Sequence, residues 1–231
     1  SAGKKAGEFY TPNEIVKLLV NILEPGKDAE IYDPTVGSGG MLIECKNYVE
    51  SRYGTAKNLS LYGQEKSGTV WGLCKMNMLF HNIYDSKILN GDTLLNPLHQ
   101  EHGELKTFDI VIANPPFGAK LDQSAYPNVW EEYSKDSNST TLFVKLMFDL
   151  LAHKGRCAVV VSEGLLTWGE NSARDLRKML LNEANLRAVI SLPQGVFVSK
   201  SGQGAKTSIL YFEKGEPTDF VWYCKIENDG L

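Results

Sequence analysis

Phe108-Asp109-Ile110-Val111-Ile112-Ala113-Asn114-Pro115-Pro116-Phe117 decides the fold class of this chain. Its first six residues form an almost continuous apolar run of strand length, rich in isoleucine and valine. A strand with one wet face alternates apolar and polar residues; a run of this kind is buried on both faces and belongs to a parallel sheet covered by helices. Two consecutive prolines end it, because neither has an N–H to give to a ladder.

Working outward, short β-branched runs alternate with longer segments of helical period, the pattern of a sheet wound with helices. Thr11-Pro12-Asn13-Glu14 reads as a capping box with Pro12 at the first helical position, and Ile15, Leu18, Leu19 and Ile22 recur on one face until Pro25-Gly26. Strands are expected at 29–32, 59–62 and 87–89, with helices from the Gly-rich turn to about Arg52 and from Ser67 to His81. Beyond the Pro-Pro turn, 118–138 is the longest irregular stretch, of a length that is usually functional. Helix, strand, helix and strand follow at 140–153, 156–162, 171–182 and 186–192, then a strand at 207–212 reached through the loop 199–206. Phe220 to Lys225 is a candidate for an added edge strand. The expectation is a single α/β domain over 1–231 with its core at about 8–213, built on a doubly wound, mostly parallel seven-stranded sheet of Rossmann-like type.

Composition narrows the function. The 231 residues carry 24 Lys and Arg against 28 Asp and Glu, a net charge of -4, which argues against a stand-alone nucleic-acid binder held by phosphate neutralisation. Any contact with nucleic acid must be local or assisted. Cys45, Cys74, Cys157 and Cys224 show no Cys-x-x-Cys pairing and the four histidines complete no ligand set, so neither a metal site nor a disulfide framework is expected. The longest purely apolar runs, such as Ala158 to Val161, are strand-sized, and the first residues lack the apolar centre of a secretion signal. A cytoplasmic protein without membrane association is the expectation.

Asp33-Pro34-Thr35-Val36-Gly37-Ser38-Gly39-Gly40 joins the first strand to a helix, where small residues let backbone N–H groups and the helix dipole approach a ligand. A dinucleotide fingerprint would need Gly or Ala at position 42, where Leu42 stands, and no Gly-Lys-Ser/Thr follows for a P-loop. An ordinary Gly-rich turn is the bland alternative. Glu65 ends the second strand, where acidic residues hold ribose hydroxyls in nucleotide folds, and Asp92 follows the third on the same edge, within reach of an adenine amino group. Each alone would pass for a solvated loop acid. Three successive strands delivering polar groups at one edge point to a nucleoside-containing cofactor.

Asn114-Pro115-Pro116-Phe117 supplies the parts needed to methylate an amino group conjugated to a ring or carbonyl. Such a nitrogen is a poor nucleophile, its lone pair being delocalised. If the Asn114 oxygen and the Pro115 carbonyl accept its two protons, it is drawn toward sp3 character, and the charge that develops meets preorganised dipoles. No metal is called for. Pro115 and Pro116 stiffen the turn and bring no competing N–H, while Phe117 offers a face for stacking. The bland reading is a Pro-Pro turn closing a buried strand.

With these residues in view, the sequence resembles the N6-adenine DNA methyltransferases whose amino-terminal motif comes first, most closely the modification subunit of type I restriction-modification systems. The resemblance rests on Gly7-Glu8-Phe9-Tyr10-Thr11-Pro12, Asp33 to Gly40, Gly63-Gln64-Glu65, Asn114 to Phe117 and Leu192-Pro193-Gln194-Gly195-Val196-Phe197, in the family's order. It implies S-adenosyl-L-methionine as cofactor and a flipped-out adenine of DNA as substrate. It further implies Tyr10 and Thr11 closing over the methionine part of the cofactor, with Asp33, Gly37, Ser38 and Gly39 lining that side, Glu65 on ribose and Asp92 on adenine. Asn114, Pro115, Pro116 and Phe117 become catalytic, and Phe117 and Phe197 hold the extruded base, core packing being the alternative for Phe197. Val36 stands where family members often carry Cys or Ala. The family's subunits have helical regions on both sides of the catalytic domain, so this chain is expected to be the catalytic domain of a longer subunit, partnered by a specificity subunit and, where one exists, a restriction subunit. Lys120, Lys200 and Lys206 are candidates for the mouth of the base pocket, or plain solvated lysines. Two other classes compete: a methyltransferase acting on a ribosomal RNA guanine or a protein glutamine amide, and a non-catalytic interaction module.

Overall fold

The computed structural model describes residues 11–117, 121, 124, 138–197 and 205–228. Its first helix, α1 (Asn13–Leu23), buries Ile15, Val16, Leu19, Val20 and Leu23 along one face. The expected capping box does not form: Pro12 stands at the cap itself, its carbonyl accepting the Val16 N–H at 3.0 Å, and the Thr11 hydroxyl is engaged elsewhere. Then come β1 (Glu30–Asp33), α2 (Gly40–Tyr53), β2 (Ser60–Glu65), α3 (Gly68–Phe80) and β3 (Lys87–Asn90). A small hairpin, β4 (Gln100–Glu101) and β5 (Glu104–Leu105), turns through His102 and Gly103, both at positive φ. Strands of two residues have no period to read, so this hairpin leaves no signature in the sequence. The chain continues with β6 (Phe108–Ala113), α4 (Ser139–Asp149), β7 (Leu151–Ser162), α5 (Gly164–Thr167), α6 (Asn171–Asn182), β8 (Ala184–Ser191), β9 (Thr207–Lys214) and β10 (Trp222–Lys225).

The main sheet has the order β10-β8-β9-β7-β6-β1-β2-β3, eight strands where seven were expected. The eighth is the candidate edge segment, which pairs parallel to β8. Only β9 runs against its neighbours, between β7 and β8. Side chains along the central strands divide cleanly between two cores. Val111, Ala113, Val159 and Val161 join Phe143 and Met147 of α4 and Leu176 of α6 on one face. Ile110, Ile112, Ala158 and Val160 join Leu19, Leu42 and Met78 of α1, α2 and α3 on the other. This is the two-faced burial that the apolar run implied.

The helix expected over 140–153 stops at Asp149, and Leu151 already belongs to β7. There the Leu150 carbonyl accepts the Phe108 N–H at 2.9 Å, and the register with β6 shifts between Phe108 and Ile110. At Gly155 a Cβ would lie 2.8 Å from the Ala152 carbonyl and 2.9 Å from that of Phe108, so the irregular strand passes only without a side chain. Leucines at 150 and 151 suit either period, and pairing with the distant Phe108 decided between them. Among the described residues no helix is long and apolar enough to cross a membrane, and no group of three or more His, Cys, Asp and Glu could hold a metal ion.

Candidate functional site

Strand order reverses beside β1: the chain builds β2 and β3 on one side of it and later β6 and β7 on the other. Connections leave such a point in opposite directions and open a crevice outside the carboxyl ends of the strands. A cleft of about 580 Å³ lies there, and its wall includes Thr11, Asp33, Glu65, Asp92, Asn114 and Pro115. Five separate segments of chain thus meet at one place.

Asp33 is 3% exposed, with its Oδ1 accepting the Thr35 N–H at 2.9 Å and the Thr35 hydroxyl at 3.4 Å. Burial pushes its carboxyl up to about 7, the Glu65 carboxylate adding to the rise against the bonds from Thr35. Glu65 fastens two turns together: Oε2 accepts the Gly37 N–H at 3.1 Å and Oε1 the Ser67 N–H at 2.8 Å. A carboxylate has about four lone-pair sites, so accepting capacity remains toward the cleft. Asp92 pairs with Lys66 at 2.6 Å and accepts the Leu94 N–H at 3.1 Å.

Gly37 and Ser38 line the cleft, but Gly39 does not. Gly39 sits at φ 87° as the cap of α2, and a Cβ there would come 2.4 Å from Met78 Cε and 3.0 Å from Cys74 Sγ. Its lack of a side chain serves the turn and the packing of α3, a local demand that a ligand-facing reading of the Gly-rich turn overlooked. Val36 is buried, packs where a Gly63 side chain would stand, and donates its N–H to the Gln64 carbonyl at 3.1 Å.

Asn114 Nδ2 donates to the Thr11 hydroxyl at 2.9 Å, while Asn114 Oδ1 is buried without a partner. Pro115 and Pro116 continue the cleft wall. The Ser139 hydroxyl donates to the Pro116 carbonyl at 3.1 Å, and Asn138 caps α4 by accepting the Thr140 N–H at 3.0 Å. This brace was missed, although Asn138-Ser139-Thr140 is a readable helix start. Thr93, whose hydroxyl donates to the Pro34 carbonyl at 2.6 Å, and Val70, Leu73 and Phe143 also line the cleft. Nothing in sequence separates such apolar wall residues from core.

Phe117 meets Phe197 edge to face, their centroids 5.9 Å apart, and Phe197 is 2% exposed within the core under α1 to α3. Neither ring is on the cleft wall, and for Phe197 core packing is the state seen. Lys206 donates to the Leu192 carbonyl and lies 3.7 Å from Glu163, so it is a tie between strand ends rather than a solvated lysine. Tyr10, Lys120 and Lys200 lie outside the described residues.

The model of the N-6 DNA methylase family matches residues 1–230. The chain belongs to that family. The methylase subunit of the type I restriction enzyme EcoEI from Escherichia coli is 37% identical to this chain over 230 residues, which cover 96% of this chain and 45% of the relative. The MpnII methylase subunit from Mycoplasma pneumoniae is 32% identical over 246 residues, covering 99% and 44%. Among solved structures, the type I restriction-modification system methyltransferase subunit from Streptococcus thermophilus superposes with a TM-score of 0.80 at 28% identity, covering 96% of this chain and 48% of that one. The chain spans less than half the length of these relatives. Its α/β sheet is the fold of the methyltransferase subunits to which it is similar.

Proposed function

We propose that this N-6 DNA methylase transfers a methyl group from S-adenosylmethionine to the N6 amino group of an adenine flipped out of DNA, as the modification subunit of a type I restriction-modification system. The observation that carries this reading is the Asn114 oxygen: a buried acceptor with no partner, fixed beside Pro115 in a cleft at the sheet's reversal point. An orphan acceptor is costly unless something it binds makes good the loss.

The residues present fit the cofactor. Its ammonium and sulfonium are cations, and Asp33, Glu65 and Asp92 all reach the cleft, whose volume lies in the usual range for ligand pockets. Glu65 takes the ribose hydroxyls, Asp92 the adenine amino group, and Asp33, Gly37 and Ser38 the methionine side. When bound, S-adenosylmethionine supplies a methyl group on a sulfonium, whose C–S electrons remain on sulfur as a neutral thioether once the amine attacks. The Asn114 oxygen accepts one amino hydrogen of the substrate adenine and the Pro115 carbonyl the other. Positive charge grows on that nitrogen in the transition state, where both dipoles are already oriented, and one proton then leaves it for water. Neither proline has an N–H that would compete for these acceptors.

The reading of substrate and partners is supported by the relatives, which are named as methylase subunits of type I restriction enzymes. The net charge of -4 supports assisted DNA binding, since few counterions are released by an acidic surface and base flipping costs a few kcal/mol. A specificity subunit supplies that grip in this reading, and a restriction subunit joins where cleavage is required. The test is transfer of tritium from labelled cofactor to adenine-unmethylated DNA, ribosomal RNA and protein, with and without a specificity partner. Label in DNA adenine that requires the partner is expected; label in RNA or protein alone overturns the reading.

A further inference from the structure

Four buried side-chain polar atoms among the described residues have no hydrogen-bond partner: Asn114 Oδ1, Thr141 Oγ1, Ser162 Oγ and Thr207 Oγ1. Two of them form one cross-strand pair. Ser162, last residue of β7, is registered directly opposite Thr207, first residue of β9, and Thr207 is wholly buried. Opposed residues of antiparallel strands hold their Cβ atoms about 4.5 to 5.5 Å apart, a spacing at which hydroxyls ordinarily satisfy one another. Here neither does.

Alternation says which way they face. Ser162 follows Val160 in phase and Thr207 precedes Ile209 in phase, and both apolar partners lie in the core under α1 to α3. Asn114 follows Ile110 and Ile112 in the same phase and reaches Thr11, just ahead of α1. Three orphans therefore share one side of the sheet at one edge, Asn114 just past the end of β6 and the other two on the neighbouring strands β7 and β9. The segment bearing Phe197 leaves the sheet at the same point, the Leu192 N–H donating to the Thr207 carbonyl at 3.0 Å. Phe197 packs in that core and closes against Phe117.

We infer that Ser162 and Thr207 are contacts for the target base, their hydroxyls donating to ring nitrogens of the adenine whose amino group Asn114 holds. This rests on the adenine-methylation reading. With both amino hydrogens taken by Asn114 and Pro115, the rest of the adenine edge offers only acceptors, and hydroxyls are what this edge of the sheet has left to donate. In this reading the base enters past the Phe117–Phe197 contact. Until then the two hydroxyls stay unsatisfied, a local instability kept for function.

Thr207→Val and Ser162→Ala remove the hydroxyls with little change of shape. In the full methylating assembly, each is expected to keep or raise the melting temperature, leave cofactor affinity unchanged and lower kcat/KM for DNA by about tenfold or more. Duplexes with 1-deazaadenine or 7-deazaadenine at the target test the contact directly: an analogue that lacks a contacted nitrogen slows the parent enzyme, and the variant that lacks the matching hydroxyl loses nothing further on it. Full activity of both variants, or losses that add fully to those of each analogue, overturns the inference. Asn114→Ala separates the two readings. If it loses transfer while both hydroxyl variants keep theirs, the adenine reading stands and this inference falls; if Asn114→Ala transfers normally, both fall.

Discussion

The Asn114 side-chain N–H donates to the Thr11 hydroxyl across 2.9 Å and 103 residues of chain, and the amide oxygen is the end left without a partner. In this arrangement the unpartnered oxygen is the end of the amide available to a donor in the cleft. Thr11→Val should lower kcat at saturating cofactor, because the Asn114 amide loses the bond that holds it in this orientation. Thr11→Ser should restore the rate. A kcat unmoved in Thr11→Val would show that the Thr11 bond does not orient Asn114.

Asn114→Ala should abolish methyl transfer with cofactor affinity and melting temperature nearly intact, since an interaction realised only in the transition state affects rate and not ground-state binding. Calorimetry beside a tritium-transfer assay reads both quantities. Weak cofactor binding with normal turnover at saturation would assign Asn114 to the cofactor.

Glu65→Ala should weaken S-adenosylmethionine binding more than tenfold, a charge-assisted bond being worth about 1.5 to 3 kcal/mol. It should also lower the melting temperature, because the Gly37 and Ser67 N–H groups lose their acceptor. Equal affinities in variant and parent would remove Glu65 from the cofactor site.

Asp33 makes the protein's stability depend on pH in a stated direction. Its carboxyl is raised from the ordinary 3.8 to about 7, so between those values the folded chain holds a proton that the unfolded chain has released. That contribution is complete below about pH 4 and is lost as pH rises through about 7. Urea unfolding at pH 5 and pH 8 should therefore show Asp33→Asn gaining on the parent at the higher pH. A cationic ligand favours the ionised carboxylate, so cofactor affinity should climb with pH up to about 7 and then level. An affinity that falls over the same range would contradict a cation beside Asp33.

Gly39→Ala should destabilise the fold by about 1 to 3 kcal/mol, since φ 87° and the approach of Met78 both oppose a Cβ. The folded fraction should bind cofactor normally, because Gly39 is off the cleft wall. Loss of cofactor affinity without loss of stability would return Gly39 to the site.

What neighbouring residues decide was legible before the fold was known. β6 occupies Phe108–Ala113 and α6 Asn171–Asn182, as the apolar run and the helical period require, because burial on two faces and amphipathic spacing are written into consecutive side chains. The polar groups at the ends of β1, β2 and β6 share an edge for the same reason: parallel strands all point their carboxyl ends one way, so Asp33, Glu65 and Asn114 follow from strand assignments alone. Tertiary structure decided the rest. Whether Leu150 and Leu151 end a helix or begin a strand depended on pairing with Phe108, and whether Thr11 caps a helix or fixes an amide depended on Asn114 arriving beside it. The unsatisfied state of Ser162 and Thr207 belongs to neither residue's own neighbourhood in sequence. It exists because β9 runs back along β7 and sets two hydroxyls together where no third group among the described residues reaches them, and a missing partner is a property of assembled space that no local pattern encodes.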